Sequence, residues 1–275
     1  MKFWWMLFLL SQAAGTYGQK AVKKNVLFIG NSLTYYAGMP DYLKAMLVAS
    51  NQPIDVVVSA YPGMALEDHL RHIIESRTQD GINTRPKRTG EQTLTETLLL
   101  SKQWDIVILQ EAPVRILIPE ARKYSTQESI RKIKQRIVNP RCQFILFQTW
   151  APSGTFPTQF CYPAFLLNRA ADKESYCSVQ INNLDEEYKL LKINYDSVRI
   201  NTQVGLVDIG RVYYKASKEQ PSLKLIDQDS HPTKLGAYLN AYMFYKFLVN
   251  QRLSSLAYYG DLARDEAILL QRLSD

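Results

Sequence analysis

Apolar residues in this chain fall into short unbroken runs separated by stretches of helical spacing. The first run, Val26-Leu27-Phe28-Ile29, breaks at Gly30 and presents Asn31, Ser32 and Thr34. The second, residues 54–60, is rich in β-branched side chains and ends at Tyr61-Pro62-Gly63. Three more, at 105–109, 143–149 and 204–207, lead into Gln110-Glu111, Trp150 and Asp208. Runs of this length suit strands buried on both faces by covering helices.

The intervening stretches predict the helices. Pro40 sits at an early helical position, where its missing N–H costs nothing, and Leu43, Met46, Leu47 and Ser50 follow at helical spacing. Residues 65–77 continue as a helix, 78–92 (with Gly81, Pro86 and Gly90) as a surface loop, and 94–100 as a short helix. Ser125 with Glu128 three residues on has the pattern of a capping box, opening a helix that runs to 138 before Pro140. Helices are also expected at 183–199, at 235–250 and within 254–275. Strands alternating with helices imply a parallel sheet with right-handed crossovers. The expected fold is α/β: a flavodoxin-like three-layer α/β/α sandwich around a five-stranded parallel sheet.

Composition narrows the class. The chain has 275 residues, 46% of them hydrophobic, with no repeat and no linker-like stretch, which suits one globular domain over 19–275. Residues 1–18 have the layout of a secretory signal peptide: Lys2, an apolar stretch from Phe3 to Leu10, then Ala13, Ala14, Gly15 and Gly18. Export is therefore expected, with no stable membrane span after cleavage near Gly18; an uncleaved anchor is the alternative. The net charge of +7 is spread along the chain, which argues against a nucleic-acid partner. The densest basic cluster, Arg85 to Arg88, reads as a solvated loop. In an oxidising compartment Cys161 and Cys177 can close a loop, with Cys142 a buried small hydrophobe in a strand; three free thiols are the alternative. No Cys-x-x-Cys pair points to structural zinc.

Candidate chemistry is confined by the three histidines, His69, His72 and His231. His69 and His72 lie three apart in the expected helix, beside Glu67 and Asp68. Such a pair reads as a solvated face, or as a metal-binding pair. His231 stands in a turn before a helix, followed by Pro232 and preceded by Asp227 and Asp229. A carboxylate beside an imidazole fixes its tautomer and stabilises the imidazolium formed in catalysis. Ser32 stands just beyond the carboxyl end of the first strand, where open α/β sheets place their catalytic groups. Thr34 occupies the last position of what would otherwise be a Gly-x-Ser-x-Gly elbow, which argues against an α/β-hydrolase.

Together these motifs resemble the SGNH hydrolases, the GDSL-type esterases. Gly30-Asn31-Ser32-Leu33-Thr34 resembles the block that carries the nucleophile, with Asn31 where that family usually has Asp. Gly63 resembles the glycine of the second block, and Asp229 to Pro232 the last block, with its acid and base. The usual Gly-x-Asn-Asp third block is replaced by Leu109-Gln110-Glu111, as in a divergent exported bacterial branch. Gln228, rather than an acid, lies three residues before His231. The resemblance implies Ser32 as nucleophile, His231 as base and Asp229 as acid, with Asp227 as the alternative acid. It implies an oxyanion hole from the N–H groups of Ser32 and Gly63 and the amide of Gln110, with no metal or cofactor. The implied reaction is ester hydrolysis, with an acetyl or other short acyl group on a carbohydrate or similar polar substrate. Trp150, Phe156, Phe160 and Tyr162, in or beside the long loop 151–180, are candidate faces for a sugar. A lipase or thioesterase of the same fold and a non-catalytic glycan-binding protein are the alternatives.

Overall fold

The computed structural model describes residues 23–78, 81–152, 154–167, 173–249 and 256–275. The expected signal peptide and its cleavage site lie outside the described residues. Nine strands are present among the described residues: β1 Lys24–Gly30, β2 Ile54–Ala60, β3 His72–Arg77, β4 Ile82–Pro86, β5 Ile106–Leu109, β6 Gln143–Gln148, β7 Cys161–Pro163, β8 Ser175–Cys177 and β9 Gly205–Asp208. Five of them form one sheet in the order β2-β1-β5-β6-β9, and every neighbouring pair is parallel. This is the flavodoxin-like order expected from the apolar runs.

Alternation along β1 shows how the layers form. Val26 and Phe28 enter one apolar core, with side chains from the helices Met39–Ala49, Ile209–Glu219, Lys234–Val249 and Arg264–Leu273. Leu27 and Ile29 enter the other, against Leu94–Ser101, Gln127–Arg136 and Leu184–Thr202. Successive strand side chains point to opposite faces, so an unbroken apolar run is what a sheet covered on both sides requires.

Several expectations are corrected. The helix expected over 65–77 is only the turn Asp68–Arg71. From His72 the chain is extended and pairs antiparallel with β4, so a hairpin replaces much of the expected loop 78–92. The β-branched pair Ile73-Ile74 favours this pleat, and Glu75 meets Arg85 across it at 3.2 Å. The basic cluster is not simply solvated, because Arg85 is bonded to Glu91 and Lys87 to Glu96. Ser125 opens no capping box. It is buried and accepts a hydrogen bond from Arg115, and the helix there is Gln127–Arg136 after a wider turn over Arg122–Thr126. The capping box belongs instead to Thr93 and Glu96, which open Leu94–Ser101.

Cys161 and Cys177 form a disulfide across the β7–β8 pair, inside the long loop. Cys142 is partly exposed and just precedes β6, rather than lying buried within it. No helix among the described residues is long and apolar enough to cross a membrane.

Candidate active site

The turn after β1 is held by side chains that the sequence pattern brings back to it. Asn31 caps the single helical turn Ser32–Tyr35: its Oδ1 accepts from the Leu33 N–H at 3.1 Å. Its Nδ2 donates to the Met64 carbonyl at 3.3 Å, a contact that Asp at this position would lack. Gln110, at the end of β5, presents Oε1 to the Asn31 N–H at 2.8 Å and to the Thr34 hydroxyl at 2.9 Å. The Asn31 N–H needs an acceptor, so the amide is oriented with oxygen on the turn. Its Nε2 is then left buried and without a partner among the described residues. Gly30 must be glycine for this packing, since a Cβ there would stand 2.5 Å from Thr34 Oγ1 and 2.6 Å from Gln110 Oε1.

His231 is carried by a closed loop. Thr233 N–H bonds to Leu225 O at 3.0 Å, Asp227 N–H to His231 O at 2.8 Å, and Ser230 N–H to Asp227 O at 3.0 Å. Ser230 adopts the left-handed region at φ 68°, which is unusual for a residue with a side chain. Two anchors hold it there. The Trp150 Nε1–H donates to Ser230 O at 3.1 Å, and Ser230 Oγ donates to Pro152 O at 2.8 Å. Trp150 is 1% exposed and stacks on Tyr213 with ring centroids 4.4 Å apart. It therefore offers no face to a sugar and instead supports the histidine loop. Phe156 and Phe160 pack against the second core, and Tyr162 lies over the Arg115 guanidinium at 4.7 Å.

Across 199 residues of sequence, His231 Nε2 stands 2.8 Å from Ser32 Oγ. Asp229 Oδ2 lies 2.9 Å from Nδ1, close enough for an ion pair but out of line with the ring N–H; its Oδ1 accepts from the His231 backbone N–H at 3.1 Å. The His231 ring beside it, foremost, holds the Asp229 carboxyl below its ordinary pKa. The Asp227 side chain is exposed and makes no bond to the ring; its backbone closes the loop. A carboxylate at Nδ1 favours the tautomer with the proton there, leaving the Nε2 lone pair for the Ser32 hydroxyl. Tyr36, which the sequence reading did not single out, stacks on the imidazole with centroids 4.2 Å apart and planes at 21°.

Gly63 follows β2 at φ 66°, in a segment tied to the turn by the Tyr61 N–H bond to Gly30 O at 3.2 Å. Neither the Ser32 nor the Gly63 N–H has a partner among the described residues. His69, expected on a solvated face, is 1% exposed: Nε2 lies 2.8 Å from Gly30 O and Nδ1 2.7 Å from Thr95 Oγ1. His72 instead meets Asp68 at 3.2 Å, so the two imidazoles have separate partners and do not form a metal pair. Glu111, also buried, accepts from the Leu66 N–H at 3.1 Å and from the Ala112 N–H at 2.9 Å. No single-residue signal marks His69 or Glu111; only the folded path of the chain turns them inward.

These two buried groups act on stability in opposite directions. Burial lowers the His69 pKa from 6.5 to about 4. The unfolded chain then takes up a proton that the folded chain refuses, so the His69 contribution is whole above pH 6.5. It is lost as pH falls through that window, roughly 3 kcal/mol in all. Burial raises Glu111 from 4.5 to about 7, against the nearby Arg115 charge. Its contribution is whole below pH 4.5 and is lost as pH rises towards 7, by a similar amount of roughly 3 kcal/mol. Urea denaturation of the unaltered chain should show these slopes largely cancelling between them. Glu111→Gln should lose stability as pH falls, and His69→Gln as pH rises.

No protein-family model matches the chain, and no curated protein matches its sequence. Solved structures do match its fold. A DUF4886 family protein from Bacteroides uniformis superposes with a TM-score of 0.66 at 17% identity, covering 92% of this chain and 93% of that one. A protein from Slackia heliotrinireducens assigned to the SGNH hydrolases gives 0.51 at 20% identity, covering 82% and 100%. A single-site variant of an acetyl xylan esterase from Geobacillus stearothermophilus gives 0.51 at 12% identity, covering 84% and 97%. By sheet order, layering and these likenesses, the chain has the three-layer α/β/α fold of the SGNH hydrolases.

Proposed function

We propose that this chain is an exported serine esterase that removes an acetyl or other short acyl group from a carbohydrate or similar polar substrate. The observation that carries the reading is the 2.8 Å contact between Ser32 Oγ and His231 Nε2, with the Asp229 carboxylate at the other ring nitrogen. As Ser32 Oγ attacks the ester carbonyl, its proton passes to Nε2. Collapse of the tetrahedral intermediate breaks the bond to the leaving alkoxide, which takes that proton and departs as the alcohol. Water then attacks the acyl-serine by the same route, releasing the carboxylic acid and restoring the hydroxyl. Asp229 orients the ring, and stacked Tyr36 supports the imidazolium through its π face.

The developing oxyanion is assigned to the free N–H groups of Ser32 and Gly63 and to Gln110 Nε2. A buried donor without a partner is costly by about 1–3 kcal/mol, a cost that a bound oxyanion offsets. Export is supported by the pattern of residues 1–18 and by the Cys161–Cys177 disulfide, which suits an oxidising compartment. The polar, short-acyl substrate class draws on the likeness in fold to an acetyl xylan esterase.

The test is a series of acyl esters. The purified mature chain should hydrolyse p-nitrophenyl acetate at least about tenfold faster than the octanoate, in kcat/KM, the scale on which a binding pocket separates acyl lengths. It should also release acetate from acetylated xylo-oligosaccharides. A preference for octanoate would favour the lipase or thioesterase reading. Glycan binding without turnover of any ester would replace the enzyme reading with a binding one.

A further inference from the structure

Three contacts join the nucleophile turn to the segment carrying Gly63, and one has an unusual construction. The Gly30 carbonyl, the last acceptor of β1, takes two donors: the Tyr61 N–H at 3.2 Å and the His69 ring at 2.8 Å. A carbonyl only accepts, so His69 Nε2 carries the proton. Nδ1 is then an acceptor and receives the Thr95 hydroxyl proton at 2.7 Å. Thr95 Oγ1 in turn lies 2.8 Å from Ser59 Oγ, which is left to donate. All three side chains are buried, and each bond of the relay has its proton assigned in one direction. The His69 backbone is fixed as well, because Thr93 Oγ1 donates to its carbonyl at 2.6 Å. The remaining link is Asn31 Nδ2 to Met64 O at 3.3 Å; separately, the Leu66 N–H bonds to Glu111 Oε2 beyond β5 at 3.1 Å.

We propose that His69 is a positioning residue that sets the Gly63 segment against the nucleophile turn through the Gly30 carbonyl. The proposal rests on the esterase reading for its catalytic consequence, though not for its geometry. The Ser32 and Gly63 N–H groups belong to different segments, one after β1 and one after β2. Two donors from separate segments stabilise a developing charge only if their spacing is fixed beforehand. The imidazole spans that gap with a rigid ring, and the hydroxyl relay through Thr95 and Ser59 fixes its tautomer. A neutral ring is needed there, and burial lowers the His69 pKa to about 4, so it stays neutral at ordinary pH.

The test uses variants that divide the ring's two contacts. In His69→Gln the side-chain amide nitrogen takes roughly the place of Nε2 and keeps the bond to Gly30. In His69→Asn the shorter amide reaches Thr95 and loses Gly30. Thr95→Val keeps the shape but frees Nδ1. On p-nitrophenyl acetate, His69→Asn should lower kcat about 10- to 100-fold at unchanged KM, the scale of a misplaced catalytic group. His69→Gln should stay within about threefold, and Thr95→Val should fall between them. Amide hydrogen exchange should quicken at residues 30–34 and 61–69 in His69→Asn alone, with β6 protection unchanged. Equal kcat and equal exchange in the Gln and Asn variants would overturn the proposal. If the unaltered chain hydrolyses no ester, the esterase reading fails, and the exchange comparison still decides whether His69 holds the two segments together.

Discussion

Ser32→Ala should lower kcat/KM on p-nitrophenyl acetate by roughly 10⁴-fold or more, the scale on which removing a serine nucleophile acts. The expectation follows from the geometry around one oxygen. Ser32 Oγ is the atom that His231 Nε2 faces at 2.8 Å, and no other hydroxyl among the described residues is bonded to that ring. The substitution deletes a half-buried oxygen at the first position of a short helical turn, whose cap is Asn31 and not Ser32. The cap, the Gln110 bonds and the Gly30 packing all survive, so the thermal midpoint should move by no more than a few degrees, as for a surface change within about 0.5 kcal/mol. Activity that persists after this change would place the nucleophile elsewhere. Loss of activity with a collapsed melting transition would report unfolding, and a fluorophosphonate probe separates the two cases. The probe should label the unaltered chain at Ser32 and leave a folded Ser32→Ala chain unlabelled.

The apolar runs make the sheet legible because burial on both faces leaves a signature that needs no partner to be read. Gly30-Asn31-Ser32 and Asp229-x-His231 are legible for a similar reason: each is a local motif at the end of an element. What the sequence hides is made by contacts between distant segments. His69 belongs to a stretch of helical appearance, and its neighbours Glu67, Asp68 and Arg71 suggest solvent. Its burial follows from a single turn, Asp68–Arg71, that stops before an extended β3. The helix expected over 65–77 therefore gives way where Ile73 and Ile74 pair with the strand at 82–86. Ser125 shows the same limit, since the capping pattern is present but the distant Arg115 takes its hydroxyl. Trp150 reads as a surface platform because it adjoins a long loop. The fold uses it to brace Ser230 in a left-handed conformation beside His231, a contact spanning 80 residues.

Asp229→Asn should lower kcat by about 10³-fold, and Asp227→Asn by less than about threefold. The upper scale comes from buried triads, where the same change costs about 10⁴ by selecting the wrong histidine tautomer. An amide placed at Nδ1 can donate, which moves the ring proton to Nε2 and removes the acceptor that Ser32 requires. The effect should fall short of the buried case because the Asp229 side chain is 56% exposed and water can replace part of its contact. Asp229 also receives the His231 backbone N–H at 3.1 Å, and an asparagine oxygen keeps that bond, so the loop should hold its shape. Asp227 contributes backbone to the loop and sends its carboxylate into solvent, so its substitution leaves both the turn and the ring in place. The adjacent His231 ring keeps Asp229 ionised below the usual carboxylate range, so the difference between the two variants should persist under mildly acidic assay conditions. Steady-state kinetics of the two single variants, compared at one pH and one ester, measures it directly. Equal losses, or a larger loss at 227, would assign the orienting carboxylate to the other side of Gln228.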